Sequence, residues 1–138
     1  MKRYVVDASV MGPLLFDDEA AQMIASLPSA LASGDCVAPI HWRLEVANQI
    51  LFGARRGRVK PDEVDLMLAA VANFPVEIDQ ESLDKVWDKS YALAAINGLT
   101  IYDAAYLEVA LRLRLPLATF DKALTKAANE NGVSVISR

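Results

Sequence analysis

The chain has 138 residues, of which 54% are hydrophobic and 23% charged, and its formal net charge is −4. This size and composition predict one globular domain over residues 1–138 and exclude a disordered protein. The negative charge excludes a domain held on nucleic acid by bulk electrostatic attraction, although it permits local contact through a metal ion. Cys36 is the only cysteine, which excludes an intramolecular disulfide and a zinc site of several cysteines.

No segment predicts a signal peptide or a membrane span. The N-terminal apolar run is interrupted by Asp7 after only three residues. No later apolar run approaches the roughly 18 residues that a membrane-spanning helix needs. A single cysteine fits a reducing compartment, so we expect a cytoplasmic protein.

Short apolar runs alternate with helical patterns along the chain. None of the runs alternates polar and apolar residues, which is typical of strands buried on both faces. The predicted strands are residues 4–6, 36–38, 76–78, 117–119 and 134–136. Apolar stripes predict helices around residues 44–51, 64–71, 83–94, 104–113 and 123–131. Strands that alternate with helices predict an α/β fold, a three-layer sandwich around a parallel sheet.

Four acidic residues lie where predicted strands end or predicted helices begin. Asp7 and Asp121 follow the first and fourth strands, and Glu45 and Asp103 lie in first helical turns. In open parallel sheets, sites form beyond the carboxyl ends of the strands. Each acid alone also fits a structural role, as a helix cap or, for Glu45, on an exposed face. Four acids in one crevice would nevertheless repel one another without a cation, and Mg²⁺ prefers oxygen ligands of this kind.

Four motifs occur in order along the chain, namely VVDAS, LEVAN, TIYDAAYLEVA and LATFDKAL. In this order and spacing they resemble the PIN-domain family, and within it the VapC-type toxins of bacterial and archaeal toxin–antitoxin pairs. The resemblance extends over about residues 4–137. It implies a five-stranded parallel sheet of order 3-2-1-4-5 with helices on both faces, in which Asp7 and Asp121 are neighbours.

The resemblance also implies an activity, the metal-dependent hydrolysis of phosphodiester bonds in RNA. The acidic quartet of the family falls on Asp7, Glu45, Asp103 and Asp121. These carboxylates would bind Mg²⁺ or Mn²⁺, and the hydroxyls of Ser9 and Thr119 would fix their orientation. The cation would activate a water molecule, so the products would carry a 5′-phosphate and a 3′-hydroxyl.

Basic and apolar residues outside the quartet indicate which RNA and protein partners to expect. The densest basic stretch includes Arg55, Arg56 and Arg58, which suits either contact with the RNA backbone or a solvated connector between two helices. The apolar stripes are rich for so small a domain, and the resemblance implies a cognate antitoxin and a homodimer. The single histidine, His41, is expected to have a structural role.

Other functions on the same architecture fit the sequence less well. A phosphatase of the haloacid dehalogenase type needs Asp-x-Asp after the first strand, where this chain has Asp7-Ala8-Ser9. A response-regulator receiver needs adjacent acids at that place. A catalytically silent PIN module that binds only protein or RNA remains the alternative, and it predicts indifference to Mg²⁺.

Overall fold

The fold is built on a parallel sheet, seen in a computed structural model that describes residues 2–137. Its five strands are β1 (Tyr4–Val6), β2 (Cys36–Pro39), β3 (Glu77–Asp79), β4 (Leu117–Ala118) and β5 (Val135–Ile136). The order is β3-β2-β1-β4-β5, and each neighbouring pair is parallel. The predicted fold class and strand order are therefore confirmed. β3 begins one residue later than predicted, because the Val76 N–H is bound to the Phe74 carbonyl in a turn.

Helices fill the connections between the strands. The α-helices of the described residues are α1 (Gly12–Leu15), α2 (Leu27–Ser33), α3 (Trp42–Arg55), α4 (Pro61–Ala72), α5 (Glu81–Asp84), α6 (Tyr91–Asn97), α7 (Ile101–Leu113) and α8 (Lys122–Glu130). The single helix predicted over residues 83–94 is divided, because a π-helical turn at Val86–Ser90 joins α5 to α6. None of the described helices combines the length and the apolar character that a membrane crossing requires.

Helices cover both faces of the sheet. Successive side chains of a strand point to opposite faces, and Tyr4, Val5 and Val6 of β1 are all buried. On one of these faces α7 packs against β1 and β2. Every residue of α7 from Ala104 to Ala110 is buried, which identifies it as the inner helix of the domain.

The predicted apolar face of α3 is wrong except at Ile50. The sequence indicated a stripe of Leu44, Ala47, Ile50 and Leu51, but the side chain of Leu44 is 74% exposed and that of Leu51 is 46% exposed. The buried stripe combines Ile50 with Trp42 and Val46. Both stripes have helical spacing, and the tryptophan decides between them because it removes the largest apolar area from water.

An ion cluster joins the end of β3 to α7. In this Arg112 cluster, made of Asp79, Glu81, Glu108 and Arg112, the guanidinium donates to Glu108 Oε2 at 2.8 Å and also to Asp79. Glu81 lies at 3.5 Å on the outer side. Glu108 is only 4% exposed. Since a buried carboxylate requires a partner, Arg112 makes this part of the fold possible.

Candidate active site

Asp7 is fixed at the carboxyl end of the central strand β1. Its backbone N–H continues the sheet by donating to the Ala118 carbonyl of β4 at 2.9 Å. The side chain is 5% exposed and does not cap the helical turn that follows it. Burial raises the pKa of Asp7, the hydroxyls of Ser9 and Thr119 lower it, and the charge of Asp121 raises it further.

Two hydroxyl groups set the orientation of the Asp7 carboxylate. Ser9 Oγ and Thr119 Oγ1 each donate to the same oxygen, Asp7 Oδ2, at 2.7 Å. Each hydroxyl also accepts a backbone N–H at 3.0 Å, from Phe120 and Asp121 respectively. Because the oxygens of both hydroxyls accept from the backbone, their protons are free to be donated to Asp7. The loop after β4 thereby holds the carboxylate in one position.

Glu45 lies in the first turn of α3 and is held by neutral donors. The Tyr106 hydroxyl of α7 donates to Glu45 Oε1, and His41 Nε2 lies 3.4 Å from the same oxygen. His41 Nε2 is also 3.0 Å from the Tyr102 carbonyl, which can only accept, so this nitrogen carries a proton. Burial raises the pKa of Glu45, while the Tyr106 hydrogen bond lowers it and the charge of Asp7 raises it. Burial lowers the pKa of His41, which favours the neutral imidazole.

Asp103 and Asp121 both lie where helices begin. The Asp103 N–H donates to Thr100 Oγ1 at 3.1 Å, so Thr100 caps α7, and a hydrogen bond with Thr100 also lowers the pKa of the Asp103 carboxyl against the larger effect of burial. Asp121 itself caps α8, where its Oδ1 accepts from the Leu124 N–H at 2.8 Å. Both the capping and the site roles of Asp121 are thus compatible, because a carboxylate has a second oxygen.

The four carboxylates form one electrostatic unit, called here the site cluster (Asp7, Glu45, Asp103 and Asp121). Burial raises the pKa of Asp103 to about 6, and the charges of Asp121, Asp7 and Glu45 contribute to the shift. No lysine or arginine of residues 2–137 forms an ion pair with any of the four. The cluster therefore carries negative charge that no basic side chain neutralises.

The donor chemistry of the site cluster fits a hard divalent cation. All of its donors are carboxylate oxygens, which Mg²⁺ and Mn²⁺ prefer. Within the described part of the chain, no three histidine, cysteine or acidic side chains lie close enough to enclose an ion. Mg²⁺ commonly binds through one or two carboxylates and keeps several water molecules. Carboxylates that do not enclose an ion are therefore compatible with Mg²⁺.

Comparison with known proteins identifies the family. The family description for the PIN domain matches residues 4–130, which is most of the chain. The chain belongs to the PIN-domain family. Ribonuclease VapC3 of Pyrobaculum aerophilum is 33% identical over 127 residues, covering 90% of this chain and 93% of the relative. The resemblance to VapC-type proteins is therefore confirmed.

Solved structures share the fold of this PIN domain. The crystal structure of PAE2754 from Pyrobaculum aerophilum matches 98% of the chain and 90% of its own, with a TM-score of 0.70 and 26% identity. The crystal structure of FitAcB from Neisseria gonorrhoeae has a TM-score of 0.63 over 96% of both chains. At 16% identity, the latter supports the fold alone.

Two residues beside the site cluster, Tyr106 and His41, were not predicted to belong to the site, since His41 was expected to have a structural role. Tyr106 follows Asp103 by three positions, and His41 precedes Glu45 by four, so each shares a helix face with a predicted site residue. That spacing was the available signal. The aromatic ring of His41 packs edge-on against the ring of Tyr106, with centroids 5.0 Å apart. The pair closes one side of Glu45.

The basic stretch after α3 lies away from the quartet. Arg55 ends α3 ten residues after Glu45, a separation of roughly 15 Å along a helix. The Arg58 guanidinium donates to Asp18 Oδ1 at 2.8 Å and to Glu19 Oε2 at 2.7 Å. These ion pairs hold the connector between α3 and α4 against the segment after α1. They also occupy the guanidinium of Arg58.

Proposed function

We propose that this PIN domain is a metal-dependent endoribonuclease, the toxin component of a toxin–antitoxin pair that acts in the cytoplasm. The observation that carries the proposal is the buried Asp7 carboxylate at the end of β1, held by two hydroxyls and near three further acids, none of which pairs with a lysine or arginine of residues 2–137. The identity shared with Ribonuclease VapC3 supports RNA as the substrate. Mg²⁺ or Mn²⁺ would be the cofactor.

The residues of the chain have separate roles in this proposal. Asp7 would be the central ligand, because the Ser9 and Thr119 hydroxyls both bind Oδ2 and fix the direction of the other oxygen, Oδ1. Asp103 and Asp121 would complete the binding of the cation directly or through water. A divalent cation bound there supplies positive charge for the phosphate and acidity for a water molecule.

Glu45 would orient the attacking water. Its Oε1 is occupied by the Tyr106 hydroxyl, which leaves Oε2 to accept a proton from that water. Its raised pKa makes it a better proton acceptor than an ordinary glutamate. The attack would release a 5′-phosphate and a 3′-hydroxyl.

Cleavage of total cellular RNA tests the proposal. Purified wild-type protein is expected to produce discrete fragments with Mg²⁺ and none with EDTA. Asp7→Asn should lower the rate on the order of 1,000-fold, which corresponds to about 4 kcal/mol of transition-state stabilisation. The variant should remain folded, because asparagine still accepts from both hydroxyls and carries no charge to repel its neighbours.

A matched substitution separates this role from a general effect of charge. Asp79→Asn removes one acid from the Arg112 cluster instead, so folded molecules of that variant should cleave RNA at the wild-type rate. Cleavage that persists in EDTA, or in Asp7→Asn, would contradict the proposal. Wild-type protein that binds RNA but neither cleaves it nor responds to Mg²⁺ would be the silent binding module.

We also propose that the chain binds two protein partners, a cognate antitoxin and a second copy of itself. Exposed apolar side chains support this proposal. Trp87 is 89% exposed and Ile96 is 82% exposed, which is unusual for a solvated surface. Expression of the chain alone should slow bacterial growth, and co-expression of the small protein encoded beside it should relieve the effect. Unimpaired growth at high expression of active enzyme would contradict the toxin role.

A further inference from the structure

A groove opens beside the site cluster at the carboxyl edge of the sheet. It has a volume of about 980 Å³, and its lining includes the residues that follow β4 and β5, Thr119 and Ser137. One side of α8 also lines it, from Lys122 to Glu130. Thr119 belongs to the site as well, because its hydroxyl donates to Asp7 Oδ2 at 2.7 Å. Thr119 therefore borders both the groove and the site cluster.

The charge of the groove differs in sign from that of the site cluster. Lys122 and Lys126 lie one turn apart on α8, and both are exposed. Glu130 is the one acid of the lining, and its Oε1 is 3.9 Å from Lys126 Nζ. An ion pair this exposed and this long leaves the ammonium group available to another anion. Lys122 forms no ion pair within residues 2–137.

A polyanionic substrate can approach an acidic site more easily when positive charge lies next to that site. The chain has a net charge of −4, and the site cluster would repel phosphates on either side of the cleaved bond. A strand that reaches Asp7 must continue past it, and the groove lies next to the site because Thr119 lines the groove and binds Asp7. Lysines placed there meet the flanking phosphates as point charges.

We propose that the groove holds the RNA strand flanking the cleaved bond, with Lys122 and Lys126 bound to its phosphates. This inference rests on the proposed ribonuclease function and names the substrate path for it. The occupant is a single strand, because Phe120 in the lining offers an aromatic ring for a base and the lysines offer charge for the phosphates. The path also differs from the one predicted at Arg58, whose guanidinium is occupied by two acids.

The test is RNA binding measured by fluorescence anisotropy. The probe is a labelled single-stranded RNA oligonucleotide, and the protein carries Asp7→Asn so that the probe stays intact. Adding Lys122→Gln and Lys126→Gln should weaken RNA binding at least about tenfold at low salt. The slope of log K against log salt should also become flatter by about 1.4, which is the value for two phosphate contacts on a single strand. Lys85→Gln with Lys89→Gln is the matched control, because it removes the same charge at the same spacing elsewhere.

Equal effects of the two double substitutions, or an unchanged slope in the groove variant, would overturn the inference. In the otherwise wild-type enzyme, the groove substitutions should raise KM with kcat unchanged, since they remove binding that is common to substrate and transition state. Wild-type protein that fails to cleave RNA would refute the ribonuclease proposal, and the anisotropy comparison would still decide the groove. Normal cleavage with an unchanged KM in the groove variant would refute the groove alone.

Discussion

Two clusters of acids lie along α7, and they differ in the groups that contact their carboxylates. The Arg112 cluster contains three carboxylates around one guanidinium, and hydrogen bonds to Glu108 and then Asp79 raise the pKa of Arg112. The site cluster contains four carboxylates, and the groups that contact Glu45 are the neutral Tyr106 hydroxyl and His41. Burial first, and then the charges of Asp121, Asp7 and Glu45, raise the pKa of Asp103 to about 6.

The difference separates structure from function. An acid that serves folding is neutralised within the chain, because an unpaired buried charge lowers stability. Acids that remain unneutralised together at the end of a sheet destabilise the folded chain, so they indicate a ligand that arrives later. In the proposed function, that ligand is a divalent cation.

The largest effect on stability is expected from breaking the Arg112 cluster. Arg112→Met removes the cation and leaves Glu108 buried without a partner, which should lower the free energy of unfolding by about 3 kcal/mol. Urea denaturation measures the change. Arg3→Met is the control, because the Arg3–Glu77 pair is exposed and its loss should lower stability by less than about 1 kcal/mol. Equal losses in the two variants would mean that the Arg112 cluster has no special structural role.

A smaller effect is expected from removing the neutral donor of the site cluster. Tyr106→Phe deletes the hydroxyl that holds Glu45 Oε1, which should lower the cleavage rate by about 10- to 100-fold, as for other groups that orient metal ligands. The Mg²⁺ concentration for half-maximal rate should rise as well, and a purely structural role would not change it. An unaltered rate and metal dependence would show that Glu45 does not need this donor.

The smallest effect concerns the pH dependence of stability without metal. The pKa of Asp103 is raised to about 6, so the folded protein binds a proton that the unfolded chain has lost between that pH and the usual value of 3.8. Ionised Asp103 thus lowers stability above about pH 6, and the penalty disappears as the pH falls toward about 4.

Asp103→Asn removes this penalty. In EDTA the variant should be more stable than wild type by about 1 kcal/mol near neutral pH, a figure reduced for the exposure of the half-buried carboxylate. The advantage should shrink on acidification, and Mn²⁺ should reverse it by stabilising the wild type alone. Thermal unfolding at several pH values checks both changes. A variant less stable than wild type in EDTA at neutral pH would contradict the repulsion.

Much of the fold was predictable because its signals are local. Short buried apolar strands that alternate with helices indicated the parallel sheet, whereas the strand order was implied by the resemblance to the PIN-domain family. The face of α3 was not predictable, since Leu44 and Trp42 both begin stripes of helical spacing and only tertiary packing selects Trp42. The division of the helix at Val86–Ser90 has no clear sequence signal either.

The site was partly predictable for the same reason. The four acids follow strands or begin helices, so their topology placed them at one edge before any contact was known. Tyr106 and His41 were harder, because their role depends on the packing of α3 against α7 and not on their own type. The groove on α8 was not predicted at all. Lys122 and Lys126 line it only because the fold places α8 beside the ends of β4 and β5.

The proposed ribonuclease activity requires that the site cluster bind a divalent cation. Calorimetric titration of Mn²⁺ into metal-free protein tests this claim without RNA or an activity assay. Wild type and Asp79→Asn should bind Mn²⁺ alike, whereas Asp7→Asn should lose binding. Binding that is equal in wild type and Asp7→Asn, or absent from wild type, would contradict the account.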